Sequence, residues 1–126
     1  MHVLCNNTMY NCFSLIDCSR QIKLTGKTST SSFNVSKNHS ELVLDSPGMV
    51  NFSILVFNIV DPFYICHPLY YKWSFGDGQY LPNTADTKTN HFYNSSGSFL
   101  MVLDIFNDKD GKKFYKNITL TVRVKG

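Results

Sequence analysis

The chain has 126 residues, 43% hydrophobic and 17% charged, which excludes an intrinsically disordered chain and leaves room for one domain with a real core. Twelve Lys and Arg against nine Asp and Glu leave a net charge of only +3, spread along the chain, so the clustered basic face that nucleic acid requires is excluded. The longest apolar stretch, Ile54 to Phe57 with Ile59 and Val60 beyond Asn58, is far short of the roughly 18 residues that cross a membrane.

Ten Phe, seven Tyr and one Trp favour strands over helices. Residues 1–40 hold three of the four cysteines, Asn-x-Ser/Thr triplets at Asn6, Asn34 and Asn38, and the run Thr28-Ser29-Thr30-Ser31-Ser32. Only Phe13, Leu15 and Ile16, then Ile22 and Leu24, suggest order there. The expectation is a Cys- and Ser/Thr-rich segment, or the end of a preceding domain, with one short strand. Residues 41–126 then form the domain proper.

Period-2 alternation governs that second part. Val50, Phe52, Ile54 and Val56 share one face of a first run, and Leu69, Tyr71, Trp73 and Phe75 share one face of a second. After Gly97, Phe99, Met101, Leu103 and Ile105 point one way. The last run sets Ile118, Leu120, Val122 and Val124 inward against Asn117, Thr119, Thr121 and Arg123. Turn signals separate the runs at Ser46-Pro47-Gly48, Asp61-Pro62, Gly76-Asp77-Gly78, Asn94-Ser95-Ser96-Gly97 and Asn107 to Gly111. Short strands at this spacing, with no helical period, predict an all-β, immunoglobulin-like sandwich of about seven strands.

Asn6, Asn34, Asn38, Asn51, Asn94 and Asn117 each head an N-glycosylation triplet without Pro at its centre. Chance placement of 12 Asn among 22 Ser and Thr gives about two such triplets, so six favour a glycosylated, secretory-pathway protein. Asn51 and Asn117 fall on the outward faces of strands assigned without reference to them, where a glycan must point. Cys5, Cys12, Cys18 and Cys66 are an even number and fit an oxidising compartment; they allow three pairings, among which the sequence does not choose. Met1 is followed by His2, Val3, Leu4 and Cys5, with neither a basic nor a continuous apolar leader region. The expectation is therefore a fragment of a longer chain, or an incomplete N-terminus, on the extracellular or lumenal side of a membrane.

Trp73-Ser74-Phe75-Gly76-Asp77-Gly78 resembles the Trp-Asp-Phe-Gly-Asp-Gly signature of polycystic-kidney-disease-type (PKD) domains, which are immunoglobulin-like sandwiches. His91-Phe92-Tyr93, Gly97-Ser98-Phe99, Met101, Leu103 and Asn107 resemble the distal part of the same pattern. The resemblance covers residues 42 to 124. Ser74 stands where the family usually has Asp, which removes a carboxylate from any cation site there. Trp73 and Phe75 are expected to anchor the core, Gly76 and Gly78 to permit positive φ or close approach, and Asp77 to bond nearby backbone N–H groups. Asp61-Pro62, the upstream cysteines and Leu69-Tyr70-Tyr71 are similar to the PKD domains of melanocyte PMEL, glycoprotein NMB and related type I single-pass glycoproteins. That likeness implies a parent chain anchored by a single membrane span that this segment lacks.

No nucleophile elbow, zinc helix, phosphate loop or dinucleotide fingerprint occurs, and neither an enzyme nor a cofactor is expected. Asn107 to Gly111 resembles a calcium loop only superficially. With Gly111 at the sixth position, Phe106 and Asn117 take the first and twelfth, so a hairpin turn is favoured. Cys66-His67 lacks a second Cys or His at zinc spacing, and disulfide pairing is the expected role. His91 reads as a structural residue beside Tyr93. Lys109, Lys112, Lys113 and Lys116 read as a solvated basic loop rather than an anion patch. Leu55, Phe57, Leu100, Val102 and Phe106 fall on outward faces, to be covered by the N-terminal segment or to meet a neighbouring domain.

Two functions follow from these expectations. The first is a non-catalytic extracellular module of a membrane glycoprotein, serving adhesion, spacing or protein–protein contact with partners or neighbouring ectodomains. The alternative is an accessory domain of a secreted hydrolase that binds polysaccharide or collagen. An exposed aromatic row drawn from Tyr70, Tyr80 and Tyr115 would favour the latter. The sequence says nothing of oligomeric state.

Overall fold

The computed structural model describes residues 18–35, 40–61 and 65–126. Among these are nine strands: β1 (Gln21–Lys27), β2 (Ser32–Val35), β3 (Ser40–Leu44), β4 (Gly48–Phe57), β5 (Tyr70–Ser74), β6 (Tyr80–Thr84), β7 (Lys88–Tyr93), β8 (Gly97–Phe106) and β9 (Phe114–Val124). They form a four-stranded sheet, β2-β1-β4-β7, and a five-stranded sheet, β3-β9-β8-β5-β6. Every pairing is antiparallel except β3 with β9. The chain is an all-β sandwich, as its alternation predicts.

The inward faces are those read from the sequence. Val50, Phe52 and Ile54 oppose Leu69, Tyr71, Trp73 and Phe75, while Met101, Leu103 and Ile105 join Ile118, Leu120, Val122 and Val124. Trp73 is fully buried and its ring lies 5.5 Å from that of Phe52 in the facing sheet. Val56 departs from the pattern. It pairs with Ile22 near the end of β4, lines an open cleft at the disulfide end and is 36% exposed.

Two strands lie upstream of the boundary expected at residue 40. β1 pairs with β4 over seven residues, and Ile22, Leu24 and Val35 belong to the common core. The Ser/Thr run is the turn between β1 and β2. The Thr28 N–H donates to the Ser31 carbonyl at 2.8 Å, and the Thr28 hydroxyl oxygen accepts from the Ser31 N–H at 3.1 Å. Ser and Thr favour such turns because their side chains substitute for backbone partners. Gly26 permits the hairpin to close on β4, since a Cβ there would stand 2.6 Å from the Asn51 carbonyl oxygen. Among the described residues, Ile22, Leu24 and Val35 thus share one core with the strands beyond residue 40. Residues 1–17, with Cys5, Cys12 and Asn6, lie outside the described residues, as does Asn38.

Cys18 and Cys66 are joined as a disulfide with Cα atoms 5.6 Å apart and a sequence separation of 48. Closing a loop of that length removes chain entropy from the unfolded state, worth about 4 kcal/mol on the loop-entropy account. Asp61 sets the geometry from the other side: its carboxylate accepts from the N–H groups of Ile65 at 2.8 Å and Cys66 at 3.0 Å.

The ladders also fix the direction of the molecule. Gln21 pairs with Phe57 at one end of the four-stranded sheet, the disulfide end. Gly48 pairs with Tyr93 at the other, four positions before Gly97, which pairs with Val124. The described chain therefore enters at one end of the sandwich and leaves at the opposite one.

Candidate functional site

β5 carries the signature residues to the end of the five-stranded sheet, and the Gly76-Asp77-Gly78 turn folds back into β6. The Phe75 N–H donates to the Gln79 carbonyl at 3.0 Å, and the Gln79 N–H donates to Asp77 Oδ1 at 3.1 Å. Gly76 and Gly78 have φ of 87° and 92°, a conformation that L side chains rarely adopt. At Gly76 there is no space either, because a Cβ would lie 2.7 Å from the Leu100 backbone nitrogen.

The other Asp77 oxygen meets His91 Nε2 at 2.6 Å, across 14 residues of sequence. A carboxylate only accepts, so Nε2 carries the proton. Burial raises the carboxyl pKa, but the hydrogen bonds from His91 and the Gln79 N–H outweigh it, and the group is held below its ordinary value. His91 is buried, stacked on Phe75 with ring centres 4.0 Å apart and parallel planes. Tyr93 stands edge-on to His91 at 4.8 Å, and its hydroxyl donates to the Phe75 carbonyl at 2.9 Å. Burial, and secondarily the charge on Asp77, pushes the Tyr93 phenol well above its ordinary pKa. Phe75, Asp77, His91 and Tyr93 thus form one network, and Gly97 opens β8 four positions after Tyr93.

Beside this turn, on the outer face of the five-stranded sheet, lies an open cleft of about 460 Å³ lined by Lys72, Ser74, Gln79, Tyr80 and the two turn glycines. Tyr80 is 63% exposed. The aromatic row considered above is not assembled: Tyr70 and Tyr115 are only half-exposed, and the Tyr115 hydroxyl donates to the Arg20 carbonyl at 3.3 Å.

A second cleft, of about 370 Å³, sits at the disulfide end between Arg20, Val56, Ile59, Pro68 and Tyr71. A guanidinium nitrogen of Arg20 donates to the His67 carbonyl, while its Nε is buried without a partner among the described residues. Burial raises the Tyr71 phenol pKa and the nearby Arg20 charge partly opposes the shift. Sequence reasoning assigned no role to Arg20 or to the Asp61 carboxylate. The proximity of both to Cys18–Cys66 emerges only in three dimensions.

The β8–β9 turn is a hairpin. Asp108 accepts from the N–H groups of Lys112 and Lys113, at 3.0 and 2.7 Å, and these bonds hold its pKa below the ordinary value. Gly111 supplies the positive φ of 71° that the turn needs. Among the described residues no group of three or more His, Cys, Asp and Glu gathers as metal ligands would. Nor is there, among them, any helix long and apolar enough to cross a membrane. Asn34, Asn51, Asn94 and Asn117 are all exposed. Leu55, Phe57 and Leu100 are exposed as well, whereas Val102 and Phe106 are half-buried.

Residues 32–122 match the family described as PKD domain, over most of the chain's length. No curated protein sequence matches the chain.

Proposed function

The chain belongs to the PKD domain family, whose members are generally non-catalytic extracellular modules of adhesion and interaction, and we propose on that premise that it is a glycosylated spacer and contact module in the ectodomain of a single-pass membrane glycoprotein. The observation that carries this reading is the placement of the sequons: all four described ones are exposed, three on strands whose alternate residues fill the core. The entry and exit of the chain at opposite ends support a spacing role. β9, at 11 residues, sets a span of roughly 35 Å between neighbouring parts of a longer ectodomain. Cys18–Cys66 suits an oxidising compartment. The narrower likeness to the PMEL and glycoprotein NMB group has no homologue behind it and supplies only the single-pass parentage in this reading.

The test is secretion of the chain behind an added leader from mammalian cells, followed by glycosidase digestion and mass spectrometry. Asn51 and Asn117 are expected to return as deamidated residues, and unmodified asparagine at both positions in secreted material would overturn the reading.

A second reading, an accessory domain that binds polysaccharide, has the cleft around the exposed Tyr80 in its favour. Retention on a polysaccharide column that is lost in Tyr80→Ala would favour it.

A further inference from the structure

β7 ends the four-stranded sheet, paired with β4 on one side and with no strand on the other among the described residues. The Ile54 N–H donates to the Thr87 carbonyl at 2.8 Å, which sets the phase of the β4–β7 ladder. In an antiparallel pair the bonded positions alternate. Thr89, His91 and Tyr93 therefore turn their backbone groups toward β4, and Lys88, Asn90 and Phe92 turn theirs to the open edge.

The other three edges each carry a device that blunts pairing. β2 has four residues with a sequon at Asn34, and β6 has Pro82 and a broken register with β5. β3 carries Glu41, within 3.5 Å of Arg123. β7 has six residues in even register with β4, no proline, and one charge, Lys88, at its start. Phe92 is 50% exposed, and Met49 beside it on β4 is 43% exposed.

We propose that β7 is a pairing edge for a second copy of this chain, and that sugars on Asn51 and Asn94 keep it closed. The second half rests on the glycosylation reading above; the first does not. Antiparallel pairing about a two-fold axis at Asn90 is self-complementary. Each Asn90 meets its counterpart, and each Phe92 meets Lys88 of the other copy, where the lysine stem and ammonium cover the ring. Two four-stranded sheets become one of eight. Asn51 stands directly beside Asn90 in the register, and Asn94 is the first residue beyond β7, so a glycan on either occupies the seam. Asn117 lies on the other sheet.

The experiment measures molar mass by light scattering, at micromolar to high-micromolar concentration, for the full chain with its disulfide formed. One arm is sugar-free protein from bacteria, the other secreted glycoprotein. Sugar-free protein is expected to double its mass. Asn90→Pro, which removes only an outward N–H, and Phe92→Lys, which sets like charges across the seam, are expected to stay monomeric with an unchanged circular dichroism spectrum. The glycoprotein is expected to be monomeric until Asn51→Gln and Asn94→Gln are combined, with Asn117→Gln as the silent control. Sugar-free protein that stays monomeric, or a dimer that survives both edge variants, overturns the pairing edge. A dimer in the sugar-free arm with a monomeric double Gln glycoprotein overturns the guard. Unmodified Asn51 and Asn94 in the secreted protein overturn the glycan reading and leave the edge decided by the sugar-free arm.

Discussion

At the residue scale the signature motif is a set of mutually satisfied groups. Asp77 bonds His91 and the Gln79 N–H, and Tyr93 closes the network on the Phe75 carbonyl. Since the folded pKa of Asp77 is depressed, its stabilising contribution is present above the unfolded value of 3.8 and is lost as pH falls through the lower folded value. Melting temperature is therefore expected to drop steeply below about pH 4, and less steeply in Asp77→Asn; equal slopes in the two proteins would remove Asp77 from the account. At neutral pH Asp77→Asn is expected to cost about 1–2 kcal/mol, the difference between a charged and a neutral hydrogen-bond partner. Trp73→Ala is expected to cost roughly 3–5 kcal/mol, because it empties the centre of the core. Chemical denaturation reads this directly, and a loss below 1 kcal/mol would show the site collapses without penalty. The Trp73 indole N–H is buried without a partner among the described residues. Nothing in Trp73-Ser74-Phe75 announces that orphan, since it depends on what lies across the sandwich.

At the element scale, the strands that alternate cleanly were legible, and the two described strands upstream of residue 40 were legible only as one short strand. β9 shows four apolar residues against four polar ones in strict order. β1 offers only Ile22 and Leu24 before a glycine, and its turn reads as low complexity until Thr28 is seen bonding Ser31. The part β1 and β2 play in the common core was hidden for that reason. A chain of residues 41–126 is accordingly expected to show no cooperative melt, having lost β1, β2 and the partner of Cys66, whereas residues 18–126 are expected to melt cooperatively. A cooperative transition in the shorter chain would show that β1 and β2 are dispensable. The turn after β5 was legible in its residue types, but the backbone of Leu100 beside Gly76 was not. Gly76→Ala forces a Cβ into that backbone at positive φ, and a loss of about 2 kcal/mol or more is expected in a denaturant titration. The partner of Cys66 was likewise hidden, since three pairings were open and only the path of β1 beside the β4–β5 loop brings Cys18 near.

At the scale of the whole molecule, the sandwich is a bead with an entry at the disulfide end and an exit beside Gly97. We infer that its signature turn is structural: Asp77 is committed to His91 and its own turn, and Ser74 stands where the family usually has a second carboxylate. An ion that takes six to eight oxygen ligands finds too few there. A bound cation would stabilise the native state by mass action. The most direct measurement is the melting temperature of the folded chain and of Asp77→Asn in millimolar calcium and in chelator. The structural account predicts equal values for the wild-type chain in both solutions. It also predicts that Asp77→Asn melts lower by the same few degrees in each, at about 4 °C per kcal/mol for a domain of this size. A rise with calcium in the wild-type chain that disappears in a folded Asp77→Asn would contradict it and make the turn a metal site.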